Sequence, residues 1–153
     1  MKKKNTLLLF LCLFSLWAVA QEKKPVKIAC VGNSITYGSG IKNQFQNSYP
    51  GLLSQLLGEG YDVRNFGISA RVLLNKGDHP YMHEQKFRDL LAFQPDIVTI
   101  KLGTNDSKPW NWRYGKDFKK DLTEMLDILQ ELPSKPKIYL CLPVPAVKRN
   151  FGL

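Results

Sequence analysis

The chain alternates between short apolar runs and longer segments in which apolar residues recur every three or four positions. A run of four to eight apolar residues bounded by glycine or proline is typical of a buried strand. Four segments fit this description, although the second alternates apolar and polar residues, which indicates a more exposed strand. The predicted strands are residues 26–31, 61–66, 97–102 and 137–142.

Three segments between these runs have the spacing of amphipathic helices. The first begins after Ser48, a residue type that caps helices, and we expect its apolar stripe to face a sheet. The second runs from about Pro80 to Phe93 and ends before Pro95, and the third ends before Pro133. The stripes consist of Tyr49, Leu52, Leu53, Leu56 and Leu57, then Phe87, Leu90 and Leu91, then Phe118, Leu122, Met125, Leu126 and Leu129.

Strands that alternate with helices in this way predict a parallel sheet with helices on both faces, a three-layer α/β/α domain of about four strands. The fourth strand is apolar enough to be central in a sheet. Only residues 143–153 follow it, without a helix or strand pattern. Because soluble proteins avoid an exposed apolar edge strand, we expect the domain to be C-terminally incomplete in this chain.

The first 20 residues have the organisation of a secretory signal peptide. Three lysines precede an apolar run at residues 7–17, and Ala18-Val19-Ala20 forms a cleavage site of small residues. The apolar run is shorter than the roughly 20 residues that span a bilayer. We therefore expect cleavage after Ala20, a secreted or periplasmic protein without a membrane anchor, and a mature domain within residues 21–153.

Composition and charge exclude several function classes. The formal net charge is +9, but part of it lies in the predicted signal peptide and the rest is spread along the chain, so nucleic acid is not an expected partner. The three cysteines have no zinc spacing, and Cys30 and Cys141 are predicted to be buried free thiols. No phosphate loop, dinucleotide fingerprint or Gly-x-Ser-x-Gly elbow is present, and we expect neither a metal nor an organic cofactor.

Polar motifs follow three of the predicted strands, at the sheet edge where open α/β proteins bind ligands. They read Gly32-Asn33-Ser34-Ile35-Thr36, Asn65-Phe66-Gly67-Ile68-Ser69 and Gly103-Thr104-Asn105-Asp106. In order and approximate spacing they resemble the motifs of the SGNH hydrolases, or GDSL-type esterases, from about Val26 to Pro145. The resemblance implies a flavodoxin-like fold and hydrolysis of O-acyl esters.

The chemistry of these motifs suits ester hydrolysis, which needs a nucleophilic hydroxyl and donors for the oxyanion of the tetrahedral intermediate. Ser34 follows a sharp turn and is the candidate nucleophile. The resemblance implies an oxyanion hole formed by the backbone N–H of Ser34, the backbone N–H of Gly67 and the side-chain amide of Asn105. Taken singly, each residue also fits a cap or a turn.

Two features depart from the family pattern. Asn33 stands where the family usually has Asp, which we interpret as a subfamily difference. The C-terminal Asp-x-x-His block, whose histidine is the catalytic base, is absent from this chain, and we expect that block beyond Leu153. His79 and His83 precede the second helix and are predicted to be surface residues instead of a base or a metal pair.

Candidate substrate contacts surround the same motifs. Trp110, Trp112 and Tyr114 follow the third motif, where their rings could stack on a sugar or pack on the domain. Asn33, Asp106 and Arg71 are further candidate contacts. The resemblance, together with secretion, favours acetyl esters of carbohydrates or other small esters as substrates. The alternative is a non-catalytic carbohydrate-binding protein on the same fold.

Overall fold

A computed structural model of the protein describes residues 24–143. The predicted signal peptide and the segment after Pro143 lie outside the described residues. The strands are β1 (Val26–Gly32), β2 (Tyr61–Gly67), β3 (Ile97–Lys101) and β4 (Lys137–Leu140). The helices are α1 (Ser34–Tyr37), α2 (Gln44–Asn47), α3 (Tyr49–Leu57), α4 (Gln85–Phe93), α5 (Pro109–Trp112) and α6 (Phe118–Gln130), with 3₁₀ turns at Tyr81–His83 and Gly115–Asp117.

The four strands form one parallel sheet in the order β2-β1-β3-β4. One face packs against α4 and α6, where the alternate residues Ala29 and Val31 of β1 meet Leu90 of α4 and Met125 of α6 in a fully buried core. Hydrophobic side chains from β2 and β3 extend this core across the sheet. The parallel α/β sheet predicted from the sequence pattern is confirmed.

The opposite face carries α1 and α3, so helices lie on both sides of the sheet. Tyr49, at the start of α3, reaches across this face and its hydroxyl bonds with the hydroxyl of Thr99 on β3 at 3.1 Å. The stripe of α3 is only partly covered, because Leu52 and Leu56 are 46% and 84% exposed. The prediction that the whole stripe faces a sheet is therefore wrong for these two leucines.

Strand β4 lies at one edge of the described sheet, and its side chains are largely exposed to solvent. Leu140 is 51% exposed, and Cys141, which follows the strand, is an exposed free thiol. The prediction of a buried thiol holds for Cys30, whose burial raises the pKa of its side chain, and fails for Cys141. Position in the sheet decides the difference, since Cys30 lies on the central strand β1 and Cys141 beside an edge.

Two helix starts differ from their predicted form. Pro80 precedes a 3₁₀ turn and an extended residue, Glu84, so α4 begins only at Gln85. Ser48 stands at the N-cap of α3 without a side-chain capping bond. Its hydroxyl instead accepts a long bond of 3.5 Å from the side-chain amide of Asn65.

In residues 24–143, no helix has the length and apolarity that crossing a bilayer requires.

Candidate active site

The register of the sheet brings the three motifs to one edge. Gly32 of β1 pairs with Gly67 of β2 on one side and with Lys101 of β3 on the other. Because the strands are parallel, the loops that follow these residues all leave the sheet at the same rim. Ser34 lies two residues beyond Gly32, and Asn105 lies four residues beyond Lys101.

Ser34 occupies the first position of the one-turn helix α1. The side chain of Asn33 caps this turn by accepting the N–H of Ile35 at 3.0 Å, and the carbonyl of Ser34 accepts the N–H of Gly38. The serine is half-buried. The cap therefore fixes the direction in which Ser34 leaves β1, and its peptide N–H lies at the N-terminal end of the turn, where helical N–H groups lack intrahelical partners.

Asn33 is 1% exposed and makes this cap, so the structure corrects its predicted role as a substrate contact. An uncharged amide satisfies the cap as well as a carboxylate does, because the interaction uses only a side-chain oxygen. The Asn for Asp difference from the usual family motif therefore leaves the turn that carries Ser34 intact.

Gly67 allows α1 to lie directly on the end of β2. A Cβ atom at this position would collide with the peptide nitrogen of Tyr37 and lie 2.8 Å from the carbonyl carbon of Thr36. The N–H of Gly67 donates to the side-chain oxygen of Asn65 at 2.9 Å. The structure thus gives Gly67 a packing role, and its predicted role as an oxyanion donor requires this bond to be released.

The segment after Gly67 connects the Ser34 turn with Asn105. The hydroxyls of Ser69 and Ser39 bond at 2.6 Å, and the carbonyl of Arg71 accepts the side-chain N–H of Asn105 at 3.1 Å. Between them, Ala70 has a φ of 67°, a left-handed conformation that costs a residue with a Cβ about 1 kcal/mol. Strain of this kind clusters at functional sites. Among residues 24–143, no group accepts the N–H of Ala70.

Asn105 is held at both its backbone and its side chain. The carbonyl of Asn105 accepts a bond of 3.0 Å from the side-chain amide of Asn111, which is 1% exposed. The side chain of Asn111 also binds Asp78, through the backbone N–H and the carboxylate of that residue. The side-chain amide of Asn105 has two N–H donors, and the carbonyl of Arg71 accepts one of them. No other group of residues 24–143 accepts from this half-buried amide, so its second N–H is open to a ligand.

Asp106 is a structural residue and not the substrate contact that its motif suggested. It is fully buried, and one carboxylate oxygen accepts the backbone N–H groups of Leu73 and Leu74 at 2.8 Å each. Burial raises the pKa of this carboxyl group, while the backbone bonds partly oppose the shift. Asp106 therefore ties the loop after β2 to the loop after β3.

A second buried carboxylate extends this arrangement. Asp121 of α6 accepts the backbone N–H of Asn75 at 2.8 Å, so two acidic side chains hold three consecutive N–H groups of the loop. Sequence reasoning missed this contact, although a signal was present. Asp121 precedes Met125 and Leu129 at spacings of four and eight, so it lies on the apolar face of the helix.

We expect Asp106→Ala to lower the free energy of unfolding by about 3 kcal/mol, because two buried N–H groups lose a charged acceptor. Urea unfolding measures the change. Asp127 is an exposed aspartate of α6, and Asp127→Ala is the matched control with an expected effect within about 0.5 kcal/mol. Equal stability of Asp106→Ala and Asp127→Ala would contradict the anchoring role.

Arg71 is paired within the protein. Its guanidinium donates to the carboxylate of Glu84 at 2.8 Å and to the carbonyl of Ser69 at 2.9 Å. The side chain is still 26% exposed beside Asn105. Arg71 therefore orders the rim of the site, and a role as substrate contact stays a prediction.

Trp110 and Trp112 are both 54% exposed on α5, next to the Asn105 loop. The indole N–H of Trp110 donates to the carboxylate of Asp78 at 3.1 Å, which fixes that ring. Trp112 packs on Phe118 with ring centroids 6.0 Å apart. These contacts agree with the interpretation that the rings pack on the domain, whereas stacking on a sugar stays a prediction.

Neither histidine is placed as an oriented base. His79 and His83 are both exposed, as predicted. Among residues 24–143, neither imidazole has a hydrogen-bond or ion-pair partner, whereas a serine hydrolase histidine is oriented by a second group. No cluster of three metal-ligating side chains occurs in the same part of the chain.

A parallel α/β sheet with a capped serine after its first strand and a fixed asparagine after its third is the arrangement that the resemblance to the SGNH hydrolases implies. The sequence profile of the GDSL-like Lipase/Acylhydrolase family matches residues 30–153. The chain belongs to this family, and the resemblance noted from the three motifs is confirmed.

An acetylxylan esterase from Xylanibacter ruminicola is 46% identical over 151 residues, which cover 88% of this chain and 32% of that protein. The chain thus spans about a third of the length of this curated relative.

Two solved structures share the fold. A G-D-S-L family lipolytic protein from Desulfitobacterium hafniense has a TM-score of 0.63 and 22% identity, covering 80% of this chain and 62% of its own. Est24, a carbohydrate acetylesterase from Sinorhizobium meliloti, has a TM-score of 0.58 and 21% identity, covering 75% and 62%.

Proposed function

We propose that the protein is a secreted serine esterase that removes O-acetyl groups from a polysaccharide through an acyl-enzyme on Ser34. The observation that carries this proposal is the placement of Ser34 and Asn105 on hydrogen-bonded loops at one rim of the sheet. The acetyl and polysaccharide parts rest on the acetylxylan esterase that is 46% identical to this chain.

In the proposed reaction, Ser34 Oγ attacks the ester carbonyl carbon and transfers its proton to a base. The C–O bond to the sugar breaks, the alcohol leaves with a proton, and water then hydrolyses the acetyl-serine. Within residues 24–143, neither histidine is oriented as a base for Ser34.

The oxyanion donors follow from the contacts described above. The N–H of Ser34 lies at the start of α1, and Asn105 keeps one amide N–H for a ligand. Because Asn65 accepts the N–H of Gly67, the N–H of Ala70 is the better third donor in this conformation. It belongs to the strained residue between the contacts of Ser69 and Arg71, and has no acceptor within the described chain.

Acetate release from acetylated xylan tests the proposal. The natural gene product is expected to release acetate and to leave the xylan chain length unchanged, as measured by enzymatic acetate assay and size-exclusion chromatography. A gene product that binds acetylated xylan without releasing acetate would favour the carbohydrate-binding alternative. Hydrolysis of the xylan chain itself would contradict both interpretations.

A further inference from the structure

A groove runs along β2, on the side away from Asn105. Its volume is about 970 Å³, close to the upper end of the range for small-molecule sites. Its lining combines aromatic and amide side chains, with Phe45 and Tyr37 beside Gln44, Gln46 and Gln55. Neither the three strand-end motifs nor the proposed reaction accounts for this groove.

Phe45 lies on the one-turn helix α2, between α1 and α3, and is 93% exposed. Helix α2 is nonetheless fastened to the domain at several points. Gln55 of α3 donates to the carbonyl of Gln46 at 2.8 Å, and Asn47 donates to the carbonyl of Lys42 at 2.7 Å. A Cβ at Gly51 would collide with the carbonyl of Phe45, so this glycine lets α2 lie against α3. These contacts hold in place the segment that carries the exposed ring of Phe45.

Three side-chain amides of the groove are held so that their oxygens can act as acceptors. Gln44, Asn47 and Gln55 each donate their NH₂ group to a backbone carbonyl, which orients the side chain. Within residues 24–143, no donor occupies the side-chain oxygens of these three residues. A ligand rich in hydroxyl donors would complement them.

The charges of the groove nearly cancel. Asp62 and Arg64 pair at 2.8 Å on β2, and Lys86 carries the remaining positive charge. A sugar combines an apolar ring face with a rim of hydroxyl groups, and it matches a lining of aromatic rings and amide oxygens better than an acyl chain or a highly charged ligand does.

The groove begins close to the nucleophile. Tyr37 lines the groove and is the last residue of α1, three positions after Ser34. Residues three apart on a helical turn share a face, with Cβ atoms about 5 to 6 Å apart. The side-chain amide of Gln44 donates to the carbonyl of Tyr37, which joins helix α2, the element that carries Phe45, to the turn that carries Ser34.

We propose that this groove, centred on Phe45 and the amides of Gln44, Gln46 and Gln55, binds the sugar chain of the polysaccharide whose acetyl ester is held at Ser34. The proposal rests on the esterase function proposed above and assigns the polysaccharide chain a site separate from the tryptophans of α5. A small ester such as p-nitrophenyl acetate does not extend into the groove.

Titration calorimetry with xylohexaose, which carries no ester, measures this binding on the natural gene product. We expect Phe45→Ala to weaken xylohexaose binding about fivefold or more and Gln46→Ala about threefold, because a stacking contact and a hydrogen bond are lost. Leu56→Ala is the matched control, since Leu56 is 84% exposed on α3 and does not line the groove.

Two further measurements separate failure of this proposal from failure of the esterase function. Phe45→Ala is expected to retain p-nitrophenyl acetate hydrolysis within about twofold and to lose rate on acetylated xylan through a higher KM. Unchanged xylohexaose binding in Phe45→Ala and Gln46→Ala, or no binding by the unmodified protein, would overturn the groove proposal. Absence of ester hydrolysis by the unmodified protein would instead overturn the esterase function.

Discussion

Replacement of Ser34 by alanine is expected to lower p-nitrophenyl acetate hydrolysis by the gene product about a thousandfold or more. The acyl-enzyme cannot form without the Ser34 hydroxyl, and the remaining oxyanion donors stabilise only a direct attack by water. A spectrophotometric assay of nitrophenol release at saturating and limiting substrate measures kcat and kcat/KM.

Ser107→Ala is the matched control for this substitution. Ser107 is exposed on the Asn105 loop and donates to the carbonyl of Thr104, so the variant removes a hydroxyl near the same rim. Its hydrolysis rate is expected to stay within about twofold of the unmodified protein. A Ser34→Ala protein that keeps a tenth of the activity or more would show that another group is the nucleophile.

Replacement of Asn105 by alanine is expected to lower kcat about a hundredfold to a thousandfold, with little change in KM. An oxyanion donor binds the tetrahedral intermediate more strongly than the ground-state ester, so its loss acts on the rate of the chemical step. The same nitrophenol assay over a range of substrate concentrations separates kcat from KM.

The Asn105 variant also loses the bond to the carbonyl of Arg71, so a purely structural effect has to be distinguished. A loop displaced by that loss would raise KM and lower the thermal midpoint together. Asn105→Asp provides a second comparison, because the carboxylate keeps the shape of the amide while removing both N–H donors. Activity of Asn105→Asp equal to that of the unmodified protein would contradict the oxyanion role.

The sequence pattern predicted the elements that form by burying an apolar run or stripe. β1 and β3 sit in the middle of the sheet and are buried by their neighbours on both sides, which is why their apolar runs were sufficient evidence. The thirteen-residue helix α6 has a long stripe, whose first residue, Phe118, also begins the helix, and the helix ends at Gln130, before Pro133 as predicted.

The short turns α1, α2 and α5 could not be predicted from periodicity, because each has four residues. Local contacts produce α1. Asn33 caps it, and the lack of a side chain at Gly32 and Gly67 lets its backbone rest on the sheet. Such approaches depend on residues that are distant in sequence, and a glycine alone indicates only a turn.

The candidate site was predicted in its position and less well in its details. Parallel strands ending in polar motifs placed Ser34 and Asn105 at one rim, since that follows from topology alone. The roles of Asn33, Gly67 and Asp106 depend on which partner each polar group finds. Asp106 shows this most clearly, because its partners Leu73 and Leu74 lie more than thirty residues earlier in the chain.

Covalent labelling is the most direct test of Ser34 as the nucleophile. The gene product is incubated with a fluorophosphonate probe, digested, and analysed by tandem mass spectrometry. We expect one modified residue, Ser34, with phosphorus bound to its Oγ, and loss of labelling in Ser34→Ala but not in Ser107→Ala. A label that maps to any other residue of an active protein would show that Ser34 is not the nucleophile.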